Sequence, residues 1–210
     1  MHGLTPPGSR SVTHQRSGIL PFRIQLDASL CGFPVLPDKT ALAYSLPVVR
    51  SGEWYHATNR GVDRSVLFAT PREARAFVNT LGVIATRFAV EIHSYCAMGN
   101  HYHLLARADE SELLRALGQL ELEVAEQAGR PRLCRMAFGR HLLQVTRYIH
   151  RNPVEAQLVA RAEDWSWSSY PSYLDRLEAH EWLRTDAVLG WLGPIGARQH
   201  YRRYVERSPF

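Results

Sequence analysis

Two apolar runs separated only by Gly99 and Asn100 constrain this chain more than any other feature. Val90 to Met98 and His101 to Arg107 are rich in aromatic, β-branched and small apolar residues. A two-residue break of turn-forming residues between such runs is the pattern of a β-hairpin. Pairing of that kind makes successive side chains alternate between the two faces of the sheet. His101 and His103 therefore share a face, where two imidazoles can converge on one metal ion.

The neighbouring segments extend the hairpin into a sheet with helices. Glu53 to Arg60 has the aromatic and β-branched content of a strand. Pro71 opens a helix at a position where proline is tolerated, with Ala76, Phe77, Thr80, Leu81, Ile84 and Phe88 as its apolar stripe. A second helix is expected from Glu110 to Ala128, its acids Glu112, Glu121, Glu123 and Glu126 forming a solvated face. Arg132 to Met136 fits a short fourth strand. Gly139 to Asn152 fits a third helix, which Pro153 helps to stop. The order β-α-β-β-α-β-α predicts an α+β, ferredoxin-like antiparallel sheet with helices packed on one face. A turn at Trp165 to Tyr170 and two short helices follow.

Residues 1–49 differ from this pattern. Prolines, glycines and serines interrupt every periodicity there, so the segment is expected to be a poorly ordered extension, with the domain and its C-terminal helical extension spanning 50–210. Three cysteines without metal-finger spacing point to a reducing compartment. No apolar run approaches the roughly 20 residues that cross a bilayer, and the N-terminus lacks the apolar core of a signal peptide. A cytoplasmic protein without a membrane partner is the expectation.

Charge directs attention to one region. The formal net charge is +5, which suits a polyanionic partner. Between Arg130 and Arg151 stand six arginines and no carboxylate. Within that stretch Tyr148 and Asn152, four residues apart, stack a phenol and an amide on one helix face. The C-terminal Arg198, Arg202, Arg203 and Arg207 give a second basic face, equally compatible with DNA contact and with a solvated helix.

Four motifs together resemble the REP-associated tyrosine transposases of the HUH single-tyrosine transposase family. They are Trp54-Tyr55-His56-Ala57-Thr58-Asn59-Arg60-Gly61, Tyr95-Cys96-Ala97-Met98-Gly99-Asn100-His101-Tyr102-His103-Leu104-Leu105, Tyr148-Ile149-His150-Arg151-Asn152-Pro153-Val154 and Trp165-Ser166-Trp167-Ser168-Ser169-Tyr170. The resemblance runs from about Arg50 to the C-terminus. It implies a metal-dependent enzyme that binds single-stranded or hairpin DNA, then cuts and rejoins it through a 5′-phosphotyrosine. By position it implies Tyr148 as the nucleophile and His101, His103 and Asn152 as ligands of Mg²⁺ or Mn²⁺. Arg60, Arg64, Arg147 and Arg151, close to these motifs, are expected to contact DNA phosphates.

Two departures accompany the resemblance: Gly99 stands where the family has proline, and the stretch between the second helix and Arg130 is several residues shorter. Two other readings remain open at this stage. One is a DNA-binding relic that has lost cutting. The other is a metal phosphodiesterase that uses activated water and keeps Tyr148 for packing. The sequence leaves monomer and homodimer equally open.

Overall fold

The computed structural model describes residues 52–124, 127–177 and 179–207; the extension expected over residues 1–49 lies outside them. Strands β1 (Glu53–Arg60), β2 (Glu91–Met98), β3 (His101–Ala108) and β4 (Arg132–Met136) form one sheet in the order β2-β3-β1-β4. All three pairings are antiparallel. Helix α1 (Pro71–Arg87) joins β1 to β2, and α2 (Glu110–Val124) joins β3 to β4. This is the expected α+β order, and its strand arrangement is that of a ferredoxin-like sheet.

Local chemistry explains where the elements begin. At the start of α1 the Thr70 hydroxyl accepts from the Glu73 backbone N–H, while the Thr70 N–H donates to the Glu73 carboxylate. That reciprocal cap satisfies two donors that would otherwise lack partners, and Pro71 occupies the first helical position. The β2–β3 turn is held from outside: Leu67 and Phe68 donate to the Gly99 carbonyl, and Gly61 donates to that of Asn100. Gly61 itself admits no side chain, because a Cβ there would sit 2.1 Å from the Ser65 carbonyl oxygen.

The sheet carries helices on both faces, which differs from the single helical layer expected. On one face Tyr55, Ala57, Tyr95, Ala97, Tyr102, Leu104 and Ala106 pack with α1 and α2. On the other, Trp54, Cys96, Met98 and Leu105 meet α3 (His141–Glu155), together with α4 (Tyr170–Tyr173), α5 (Asp186–Leu189) and α6 (Ala197–Glu206). The strands are buried on alternating residues of both faces, so a second apolar layer is required to keep Cys96, Met98 and Leu105 from water.

Three further expectations change. Helix α3 continues through Pro153 to Glu155 rather than stopping at Asn152. Proline removes the N–H that the Ile149 carbonyl would use, and Asn152 supports the disturbed turn by donating Nδ2–H to the Tyr148 carbonyl. The Trp165–Tyr170 segment covers the β2 edge: Ala97 N–H donates to the Trp167 carbonyl, Ser169 N–H to that of Tyr95, and Trp165 Nε1–H to that of Ala97. An edge strand that would otherwise invite foreign pairing is thereby closed. Glu121 is half-buried, not solvated, and accepts from Asn59 Nδ2 at 2.6 Å. Among the described residues no helix is long and apolar enough to cross a membrane.

Candidate active site

Strand register assembles one half of the site. The β1–β3 pairing sets Arg60 opposite His101 and Thr58 opposite His103, while the β1–β4 pairing sets Arg132 opposite Thr58. By alternation these five side chains share the α3 face of the sheet. Helix α3 supplies the other half. Tyr148 comes over the sheet with its ring centroid 5.2 Å from that of His103 and 6.0 Å from that of His56, each in an edge-on arrangement. The His101 and His103 rings lie 5.1 Å apart and almost perpendicular.

The depth of α3 is set by anchors on its far side. His150, fully buried, is bonded to the Tyr201 hydroxyl at 2.7 Å and the Ser169 hydroxyl at 2.8 Å. Arg147 donates to the carbonyls of Tyr204 and Arg207, and Arg151 to that of Val205. One helical step rotates a side chain by about 100°, so the residues just before Tyr148 and Asn152 face α6, away from the site.

Each donor atom has an assigned partner or a revealing lack of one. His101 Nδ1 bonds the Asn100 side-chain oxygen at 2.8 Å, which fixes the proton on Nδ1 and leaves a lone pair on Nε2. His103 Nδ1 meets His56 Nε2 at 3.1 Å, while His103 Nε2 is buried without a hydrogen-bond partner. Asn152 uses its Nδ2 on the Tyr148 carbonyl, so its oxygen is the atom available to a cation.

Electrostatics keep the imidazoles neutral. Burial lowers His56 to about 4. Burial, then the charges of His56, His101 and Arg60, hold His103 well below the usual imidazole value. Burial and Arg60 lower His101 in the same sense. The Asn152 amide opposes both latter shifts, the effect of an acceptor oxygen beside a protonated ring. Neutral imidazole is the form that ligates metals.

These observations test the fit of a divalent cation. Two imidazole nitrogens and one amide oxygen present lone pairs, and the buried, unpartnered Nε2 of His103 is the sort of atom a cation would satisfy. Among the described residues no group of three or more His, Cys, Asp and Glu side chains gathers around a common point. The donor set is therefore neutral and sparse, better suited to Mn²⁺ than to Mg²⁺, which favours oxygen.

A cleft of about 360 Å³ opens beside the histidines, lined by Thr58, Asn59, Arg60, His101, His103, Arg130 and Arg132. Of the four arginines expected to meet DNA, Arg60 borders this cleft. Arg64 is exposed in the left-handed turn that follows β1, at φ 62°. Arg147 and Arg151 are engaged with the C-terminal backbone. Arg130 and Arg132 line the cleft beside Arg60. Both stood in the carboxylate-free stretch, but only the register of β4, for Arg132, and the contacts of Gly129 with the end of β1, for Arg130, single them out.

The connection before Arg130 is stitched to the end of β1. Gly129 N–H donates to the Arg60 carbonyl at 2.8 Å, Asn59 Nδ2 to the Gly129 carbonyl at 2.9 Å, and Val62 N–H to that of Gln127. A Cβ at Gly129 would lie 3.1 Å from the Arg60 carbonyl oxygen, so glycine permits the approach that delivers Arg130 to the cleft.

No family model matches the chain, and no curated protein matches it. It is similar to a solved structure of a REP-associated tyrosine transposase bound to a REP hairpin. That likeness has a TM-score of 0.50 at 17% identity and covers 65% of this chain and 87% of the other. At this identity the similarity is one of fold: a four-stranded antiparallel sheet with helices, in which a sheet-borne histidine pair and an α3 tyrosine meet here.

Proposed function

We propose that this protein binds single-stranded DNA that folds into hairpins, and that it cuts and rejoins that DNA through a covalent link to Tyr148. The observation that carries the reading is the convergence of the Tyr148 ring on His103, next to an unpartnered buried nitrogen and a cleft edged by three arginines. The similarity to a hairpin-bound transposase supports DNA as the partner.

His101, His103 and Asn152 would hold Mg²⁺ or Mn²⁺. When bound, the ion supplies Lewis-acid polarisation of the scissile phosphate. Arg60, Arg130 and Arg132 bind flanking phosphates and orient the strand along the cleft. The Tyr148 oxygen attacks phosphorus as the P–O3′ bond breaks. The phenolic proton passes to solvent and the departing 3′ oxygen takes one from solvent, leaving a 5′-phosphotyrosine and a free 3′-hydroxyl. A 3′-hydroxyl entering later reverses the sequence, because the covalent link conserves the phosphodiester. Packing of α3 over the sheet holds Tyr148 near the imidazoles.

The test is a denaturant-resistant protein–DNA adduct on labelled single-stranded hairpins with Mn²⁺, with Tyr148→Phe alongside. An adduct in the wild type that vanishes in the variant is the expected result. Metal-dependent cutting that survives Tyr148→Phe would replace this reading with a water-using phosphodiesterase. Hairpin binding with no adduct and no cutting would leave a DNA-binding protein without the chemistry.

A further inference from the structure

His56 belongs to β1 and is buried, and its register partner on β3 is Leu105. It therefore reaches diagonally to His103 on the same face. The two rings stack with centroids 5.3 Å apart and planes 19° from parallel. Their nitrogens meet at 3.1 Å, so one must donate and the other accept.

Two tautomers of His103 satisfy that bond, and the surroundings discriminate between them. A proton on His103 Nδ1, donated to His56 Nε2, leaves a bare lone pair on Nε2. A proton on Nε2 instead would bury an N–H that makes no hydrogen bond in this structure. His56 does not suffer in exchange: neither of its nitrogens is both buried and unpartnered. The His56 ring also lies edge-on to Tyr148 at 6.0 Å, so one side chain braces a ligand and borders the phenol.

We infer that His56 is a positioning residue: it accepts the Nδ1 proton of His103 and so turns the Nε2 lone pair of that ring toward the metal position. The inference rests on the proposed metal-dependent reading. It differs from the usual arrangement, in which a carboxylate or backbone carbonyl braces a ligating histidine. A neutral brace adds no negative charge behind the ligand, so orientation is its whole contribution.

The experiment has two arms on the full-length protein. Imidazole ¹⁵N NMR of the metal-free wild type reads the His103 tautomer directly, and the expected state is protonated on Nδ1. Mn²⁺ affinity, followed by electron paramagnetic resonance, is compared in wild type, His56→Phe and His56→Gln. The Phe variant should bind Mn²⁺ about 10–100-fold more weakly, and Gln, whose Oε1 can accept the same proton, should restore affinity to within about threefold. A wild-type His103 protonated on Nε2 overturns the inference, as does a folded Phe variant that binds Mn²⁺ like the wild type. Should the wild type take up no Mn²⁺, the metal reading fails, and the tautomer arm still decides whether His56 orients His103.

Discussion

Asn152 donates its side-chain Nδ2–H to the backbone carbonyl of Tyr148 at 2.9 Å. The proposed ligand is thus tethered to the proposed nucleophile, and its oxygen is the end left for the imidazoles. Asn152→Leu removes that oxygen while keeping the volume. Calorimetry should show Mn²⁺ affinity reduced by about tenfold or more, with the helical circular dichroism of the protein preserved.

Arg60, Arg130 and Arg132 edge the cleft, whereas Arg147 and Arg151 hold α6. Alanine at any of the first three should weaken binding to all single-stranded sequences alike and reduce the slope of log affinity against log salt by about 0.7. Alanine at Arg147 or Arg151 should leave that slope unchanged and lower unfolding stability by about 1 kcal/mol. Fluorescence anisotropy across a salt series separates the two groups.

His150 carries its own pH signature. Burial drops it to about 3, against an ordinary value of 6.5. As pH falls below 6.5 the unfolded chain takes up a proton that the native chain refuses, so stability declines progressively down to about pH 3. Urea titrations at pH 7.5 and pH 5 should differ by about 2 kcal/mol from this residue. His56, lowered to about 4 by burial, adds in the same direction. His150→Gln should flatten the dependence.

Glu121 works in the opposite sense. Burial raises it to about 7, against the hydrogen bond from Asn59 that lowers it. The native state keeps this proton longer than the unfolded state, so stability falls as pH rises from 4.5 to 7. Glutamine keeps the acceptor for Asn59 without the charge. Glu121→Gln should stabilise the protein at pH 8 by about 1 kcal/mol, a figure already discounted for partial exposure, and leave it unchanged at pH 4. Thermal melts at the two pH values check this.

The sheet was legible in the sequence because alternation and turn chemistry are local properties. Tyr95 and Tyr102 face one way and His101 and His103 the other for no reason beyond spacing. The meeting of Tyr148 with His103 was legible only through resemblance, since 45 positions separate them and no local pattern joins them. Other features depend on distant partners and left no local mark. Glu121 reads as one more surface acid until Asn59 is seen beneath it. Arg147 and Arg151 read as neighbours of the proposed nucleophile until α6 is seen to claim them. Pro153 reads as a stop because the Asn152 side chain that supports the turn cannot be inferred from periodicity. The second helical layer was missed for the same reason: its core joins Trp54 to Val205 across nearly the whole described chain.

That last feature has a biological meaning of its own. Histidines and tyrosine stand on opposite sides of an interface whose depth is fixed by His150, Tyr201 and Ser169. The histidine pair is encoded early and the tyrosine late, and neither half holds all the groups of the proposed site. A nascent or partly unfolded chain would therefore carry the separate parts of the proposed DNA-cutting site without joining them. If the proposed chemistry holds, only completed tertiary structure licenses it, and the fold acts as its own safety catch.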